Sequence, residues 1–424
     1  MTSSLFRTGI DFADEMDARD PLAHFRNEFH FPKTKADEDC IYLCGHSLGL
    51  QPKCAADYLE QELRDWAQFG VEGHFHAKNP WMPYHRLLTD QTATLVGAKP
   101  TEVVVMNSLT VNLHLMMTSF YRPTSHRNKI LVERGAFPSD QYAVKSQIQF
   151  HGFDPASSLL ELTPRDDESC MRDEDVVETI EREGESIALI LLGGVNYATG
   201  QAFDMAEIVR AGHRRGCIVG FDLAHAVGNV LLRLHDWDPD FAVWCSYKYL
   251  NGGPGCVGGC FVHERHERAW DRPRFAGWWG HDEKTRFQMG PDFHPMNGAE
   301  GWQLSNPPIL ALAALRASMQ IFAEAGMDRL RAKSISLTAY MEFLLNQQSA
   351  AGYSIITPPE AERRGAQLSI RLPRDGRQLC DRLLGDGVIG DWREPDTFRV
   401  AAVPLYNSHR DVYWFVQHFL RALP

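Results

Sequence analysis

Cys217-Ile218-Val219-Gly220-Phe221-Asp222, with His225 three residues on, and Phe241-Ala242-Val243-Trp244-Cys245-Ser246-Tyr247-Lys248 are the stretches that decide the fold. Each is an unbroken apolar run of strand length that leads into polar side chains. Apolar runs without polar alternation read as strands covered on both faces, which is how parallel sheets are built. Further runs of this kind lie at 103–106, 130–133, 187–192 and 257–263. Between two of them, Asp204-Met205-Ala206-Glu207 reads as a capping box opening a helix that Gly216 closes. This β-α-β alternation predicts an α/β fold with a mostly parallel sheet. In such sheets ligands sit at the carboxyl ends of the strands, where Asp222 and Lys248 fall.

Upstream, the first forty residues carry weak helical periodicity over 14–29. Gly45-His46-Ser47-Leu48-Gly49 is a turn-rich loop leading to Pro52, a suitable first helical residue. Tyr58, Leu59, Leu63 and Trp66 then repeat at helical spacing, and Gly70 suits the stop. Downstream, a long helix is predicted from about Ile309 to Ala325, apolar on most faces and hence buried. The remainder has helix, strand and turn signals of its own, which predicts a smaller α+β domain. The expected division is 1–45 as a segment joining the small domain, 46–310 as the large domain, and 311–424 as connecting helix and small domain. A chain of 424 residues is indeed long for a single core.

Composition excludes several classes of function. With 44% hydrophobic and 23% charged residues the chain reads as an ordinary soluble globular protein. A net charge of −12 with no basic block argues against a nucleic-acid partner. No apolar run approaches the roughly 18 residues of a membrane span, and the N-terminus soon turns acidic, unlike a signal peptide. Nine scattered cysteines without Cys-x-x-Cys read as reduced thiols of a cytoplasmic protein.

A carboxylate at one strand end and a lysine just past the next is what pyridoxal 5'-phosphate (PLP) chemistry needs. The lysine holds the aldehyde, and the carboxylate keeps the pyridine nitrogen protonated so that the ring withdraws electrons. Alone, Lys248 would pass for an exposed strand-end residue; Asp222 and His225 beside it favour the functional reading. Asn107-Ser108-Leu109-Thr110-Val111-Asn112 precedes a helical run, and its backbone amides with the Thr110 hydroxyl suit a phosphate. An ordinary helix cap would look the same. Phe137-Pro138-Ser139-Asp140 offers an aromatic to stack on a flat ring, or simply a core Phe in a loop. Gly253-Pro254-Gly255-Cys256-Val257-Gly258 matches G-x-G-x-x-G, but its glycines precede a strand and enclose a proline. A tight turn explains them better than a dinucleotide site. His74-x-His76 and His263-x-x-His266 are only pairs, so no metal site is expected.

Taken together, these stretches resemble the kynureninases, fold-type I PLP enzymes of the aspartate aminotransferase superfamily. The resemblance runs from about Tyr42 to Phe415 and rests on 45–53, 107–114, 136–142, 220–229, 235–251, 277–281, 305–308 and 398–408. Its most specific parts are Phe-Asp-Leu-Ala-His-Ala-Val-Gly-Asn from Phe221 and Trp-Cys-Ser-Tyr-Lys-Tyr-Leu-Asn from Trp244. It implies the fold-type I PLP-dependent transferase fold, a large domain with a mostly parallel seven-stranded sheet and a smaller α+β domain. It also implies hydrolysis of L-kynurenine or 3-hydroxy-L-kynurenine to anthranilate or 3-hydroxyanthranilate plus L-alanine. That reaction belongs to tryptophan degradation by the kynurenine pathway, which supplies pyridine-nucleotide precursors.

Carried over by position, Lys248 would be the Schiff-base lysine and proton shuttle, and Asp222 would pair with the pyridinium nitrogen beside His225. Phe137 would stack on the ring, with Pro138, Ser139 and Asp140 at its edge. Leu109, Thr110 and the Tyr247 hydroxyl would hold the phosphate, with Tyr247 also the nearest candidate acid/base. Trp278 and Asn306 would reach the cofactor from a neighbouring subunit, implying a homodimer with shared sites. Arg399 would grip the substrate carboxylate. Ser47, His74 and Asn306 would face the aryl ring and its substituent, although His74 also reads as a plain loop histidine. Two positions depart from the family pattern. His46 stands where the loop commonly has Asn, and Gly193 where some relatives have a serine. Other readings are a cysteine desulfurase or aminotransferase of the same fold, and a ligand-binding regulator without chemistry. A desulfurase needs a cysteine on a mobile loop, which is not recognisable here, and a regulator would be expected to lack Lys248.

Overall fold

The computed structural model describes residues 6–347, 352–372 and 375–423; residues 1–5, the first part of the N-terminal reading, lie outside them. Seven strands form the principal sheet: β1 (Val103–Val105), β2 (Lys129–Glu133), β3 (Leu159–Leu162), β4 (Ile187–Gly193), β5 (Ile218–Asp222), β6 (Phe241–Cys245) and β7 (Gly258–Val262). Their order is β1-β7-β6-β5-β4-β2-β3, with β7 antiparallel to both neighbours and the other pairings parallel. The mostly parallel sheet thus stands as expected, with strand ends shifted by a residue or two. β3 escaped the sequence reading because Leu159-Leu160-Glu161-Leu162 is the sheet's edge and only Leu162 is buried.

Alternation along the strands supplies two cores. Val104, Ile130, Val132, Leu189, Leu191 and Val243 pack with Leu113, Met116 and Phe120 of helix α1 (Leu109–Phe120) and with Val144 and Ile148 of α2 (Pro138–Phe150). Val103, Val105, Leu131, Ile190, Leu192, Val219 and Trp244 face the other way. They meet Met205 and Ile208 of α3 (Met205–Arg214) and Leu312, Leu315 and Met319 of α4 (Ile309–Ala325). Each such Leu, Ile or Val side chain contributes about 1.5–3 kcal/mol when fully buried. The continuous apolar runs are therefore what the fold requires of strands covered twice.

Two local expectations change. Asp204 caps α3 by accepting the Glu207 N–H at 2.9 Å, but the Glu207 carboxylate turns to Arg210 at 2.6 Å, so only half of the capping box forms. Pro52 does not open the next helix; it bridges Phe29, and the helix runs Ala55–Phe69 with Gly70 at φ +52 as its stop. The predicted long helix is α4 with the same bounds, and it is buried in the large core rather than the small one. The Gly253–Gly258 stretch is a turn with φ +92 at Gly253 and +67 at Gly255, followed by β7.

The small lobe is a four-stranded antiparallel sheet of β8 (Ser354–Ile355), β9 (Gln367–Arg371), β10 (Asp391–Arg393) and β11 (Thr397–Ala401), in the order β10-β11-β9-β8. Leu368, Ile370, Phe398 and Val400 pack there against Tyr340, Met341, Phe415 and Phe419. The N-terminal segment straddles both cores: Phe12, Ala13 and Leu43 enter the small one, Leu22, Phe25 and Phe29 the large one. Among the described residues no single helix is long and apolar enough to cross a membrane.

One ionic clamp fixes the segment that carries Trp278 and Asn306. The Glu300 carboxylate takes Arg86 in a bidentate pair at 2.9 and 2.8 Å and His85 at 2.8 Å. Burial works against its charge, but these donors hold its pKa down to about 2. A depressed carboxyl pKa contributes stability above the unfolded value of 4.5 and loses it as pH falls towards 2. Glu300→Gln should therefore lower unfolding free energy by about 2–3 kcal/mol at pH 7, and by progressively less below pH 4.5. Denaturant titrations of both proteins across that range check this.

Candidate active site

β4 and β5 end in register, Gly193 opposite Asp222, and β5 pairs Asp222 with Val243 of β6. The chain leaving β6 reaches Lys248 directly. These strand ends and the first turns of α1 and α2 enclose a cavity of about 220 Å³. Leu109, Thr110, Phe137, Ser139, Asp140, Asp222, His225, Tyr247 and Lys248 line it. The Gly45–Gly49 loop docks on the same chain segment: the Gly49 N–H donates to the Tyr247 carbonyl at 2.8 Å. A Cβ at Gly49 would lie 2.4 Å from the Lys248 carbonyl oxygen, so only glycine allows this approach.

Lys248 Nζ stands 3.0 Å from His225 Nε2 and 5.8 Å from the centroid of the Phe137 ring. Burial, then the charges of Lys248 and Arg399, hold the His225 imidazole well below its ordinary pKa. His225 is therefore neutral and its Nε2 accepts from Lys248, which leaves the hydrogen on Nδ1, a buried atom with no partner in the chain. Asp222 is half-buried and accepts the Ala224 N–H at 2.7 Å. Burial raises its pKa, while Asp140, Lys248 and the Ala224 N–H pull it down. The Asp140 carboxyl beside it is pushed well up by burial and by the Asp222 charge. Two neighbouring carboxyls of this kind share a proton, and Asp222, which accepts the Ala224 N–H, keeps the charge.

The residues fit PLP. Asp140 Oδ1 and His225 Nδ1 are buried polar atoms without partners on the cavity wall, where polar atoms at a ring's edge would satisfy them. At the opposite end, Ser108 caps α1 without a side-chain hydrogen bond, so the first-turn N–H groups face an anion unobstructed. Thr110 Oγ1 lies 2.9 Å from Ser139 Oγ, which sets two hydroxyls at that end. Phe137 is 41% exposed, because its face is turned to the cavity rather than to a core.

Six expected residues do not line the cavity in this chain. Pro138 is among the first residues of α2, where its fixed φ suits the helix start. Ser47 sits in the 44–48 turn, its N–H on the Cys44 carbonyl. His74 bonds the Val71 carbonyl at 2.9 Å and packs edge-on against Trp81. Trp278 donates to the Arg286 carbonyl at 3.2 Å and is 42% exposed; Asn306 is exposed as well. Arg399 is buried just behind the wall, Nη1 on the Tyr197 carbonyl at 2.7 Å and Nη2 on Asp391.

Among the cavity residues unrecognised in the sequence are Glu133, Gly193 as a backbone donor, Asn196 and Tyr197. Glu133 was visible only as the last residue of a strand, and the loop after β4 had no motif. Of the two departures, Gly193 is tightly neighboured: a Cβ there would stand 3.0 Å from Glu133 Oε1, which would have to give by a few tenths of an ångström. His46 is fully buried with neither ring nitrogen partnered, 3.8 Å from Asp391 and with its ring centroid 6.5 Å from that of His225.

Comparison with known proteins places the chain. Residues 330–419 match the model of the kynureninase C-terminal domain. Kynureninase of Koribacter versatilis (strain Ellin345) is 69% identical, with all of both chains covered. That of Myxococcus xanthus (strain DK1622) is 59% identical over 98% of each. Among solved structures, the apo cysteine desulfurase of Thermococcus onnurineus NA1 superposes with a TM-score of 0.76 at 15% identity, covering 97% of this chain and 98% of that one. A C-DES lysine-to-alanine variant with glycine covalently linked to its PLP cofactor gives 0.76 at 14% identity, covering 93% and 98%. At those identities the structures speak for the fold alone, the fold-type I architecture expected from the sequence. The sequence relatives, at full length and well above half identity, show that the chain belongs to the kynureninase family.

Proposed function

We infer that the Lys248 cavity carries out PLP-dependent hydrolysis of the Cβ–Cγ bond of L-kynurenine, 3-hydroxy-L-kynurenine or both. The products are L-alanine and anthranilate or 3-hydroxyanthranilate, a step of tryptophan degradation. The observation that carries this reading is the full-length 69% identity to a kynureninase, in a chain whose lysine, carboxyl pair and anion-binding helix end meet in one cavity.

When bound, PLP supplies an electron sink for charge at the substrate α-carbon. The rest falls to the chain. Lys248 would hold the cofactor aldehyde, and its amine, aimed by the neutral acceptor His225, would move the substrate α-proton. Asp222 carries the negative charge facing the ring nitrogen, and Asp140 keeps the shared proton. Leu109 N–H, Thr110 and Ser139 would hold the phosphate, and Phe137 would cover the ring. Arg399 is set for the substrate carboxylate: two nitrogens are already fixed, and its buried Nε has no partner. Ser47, His74 and Asn306 are the residues proposed for the aryl end.

Burial raises the Tyr247 pKa, so its phenol is a proton donor at neutral pH. Tyr247→Phe should lower kcat about 100-fold with PLP still bound. Full turnover with merely loosened cofactor would reduce Tyr247 to a phosphate contact.

We further propose a cytoplasmic homodimer with shared sites and a division of the chain at about 45 and 310. Trp278 and Asn306, exposed and outside this chain's own cavity, support the first, as do exposed Trp66, Phe75 and Phe275. The two separate sheets support the second. Fluorescence detection of aryl product from each kynurenine tests the function, and their kcat/KM ratio decides between substrates. Absence of product from both would overturn the reading.

A further inference from the structure

Glu133 and Asn196 have no role above, yet both line the Lys248 cavity. Glu133 ends β2, is 3% exposed, and accepts the Gly193 N–H at 2.6 Å and Asn196 Nδ2 at 2.5 Å. Asn196 also closes its own turn. Its Oδ1 accepts the Ala198 and Thr199 N–H groups at 2.9 Å each and the Thr199 hydroxyl at 3.2 Å. The Asn196 carbonyl accepts the Gly200 N–H at 2.9 Å within the turn, and the next three carbonyls accept from the small lobe. Tyr197 O accepts from Arg399 Nη1 at 2.7 Å and from Gln367 Nε2 at 3.0 Å; Ala198 O accepts from Ser369 Oγ at 2.6 Å; Thr199 O accepts from Thr357 Oγ1. One unbroken set of hydrogen bonds thus runs from a carboxylate on the cavity wall, through a four-residue turn, to the guanidinium in the other lobe.

We propose that Glu133 and Asn196 are a positioning pair for the family's reaction: they fix the 196–199 turn from the cavity side and so place the Tyr197 carbonyl that orients Arg399. This rests on Arg399 being the carboxylate grip. Glu133 is the only carboxyl of the cavity whose two oxygens are both taken by N–H donors of the wall. Burial pushes its pKa up to about 7, while Asn196 and the Gly193 N–H oppose the rise and Asp222 adds to it. Removing a partner from such a buried bond costs about 1–3 kcal/mol, enough to be read in kinetics.

The pair can be tested by exchanging its polarity. E133Q sets an amide where one of two N–H donors must meet another N–H. N196D keeps the acceptor for the Ala198 and Thr199 N–H groups but faces a carboxylate with a second one. Each single variant should raise KM for kynurenine about tenfold while kcat falls less than about threefold. The calorimetric Kd of the product L-alanine should rise in parallel. In E133Q/N196D the new amide donates to the new carboxylate and still accepts the Gly193 N–H, so KM should return to within about threefold of the parent. Single variants with unchanged KM, or a double variant as poor as the product of the singles, would overturn the proposal. So would recovery of Tm without recovery of KM, which would make the pair structural only. R399K measured alongside separates the premise: unchanged KM there removes the grip itself, whereas a raised KM with no exchange rescue removes the pair alone.

Discussion

Lys248→Ala is expected to lower turnover of kynurenine by about 1000-fold or more, with the protein still folded. In its proposed role the side chain holds the cofactor aldehyde and moves the α-proton, and within the described residues no second lysine lines the cavity. His225 cannot replace it. Burial and the neighbouring charges keep its imidazole neutral, and its Nε2 would merely lose a donor at 3.0 Å. The loss also removes a cation that opposes the burial-driven rise of the Asp222 pKa, so the carboxyl pair should take up protons more readily. Single-turnover release of aryl product, with PLP supplied, measures the defect; retention of more than a few per cent of the rate would remove Lys248 from the chemistry.

Arg399→Ala should raise KM about 100-fold while lowering kcat far less, because the proposed guanidinium–carboxylate contact would be used in ground and transition state alike. The variant also strips Asp391 of one of its cations, but Arg393 remains at 3.0 Å from the same carboxylate, so the buried charge is not left alone. Arg399→Lys keeps the charge without the fork and should fall between, near tenfold. A KM unchanged in both variants would assign Arg399 to holding the lobes together and nothing more.

What could be read from the sequence follows burial and locality. β5 and β6 stood out because a strand covered on both faces is apolar without interruption, and the chemistry sits within a few residues of their ends. β3, at the edge, carries no such run. Arg399 and Asp391 are partners through antiparallel register, β10 against β11, which local spacing does not reveal. Glu133 is in the sequence only the last residue of an apolar run; its partners Gly193 and Asn196 are distant along the chain. The half-formed cap at Asp204 shows the same competition, since Glu207 found arginines nearer than the helix start. Trp278 and Asn306 were expected from family resemblance alone, and a single chain leaves them on its surface.

The most direct test of the account is paired quantitation of L-alanine and aryl acid released from L-kynurenine or 3-hydroxy-L-kynurenine by the PLP-loaded protein, with no keto acid added. Carbon–carbon hydrolysis at the Lys248 cavity predicts the two products in one-to-one amounts and steady turnover. Aryl product without equimolar alanine, or turnover only when a keto acid is supplied, would contradict it.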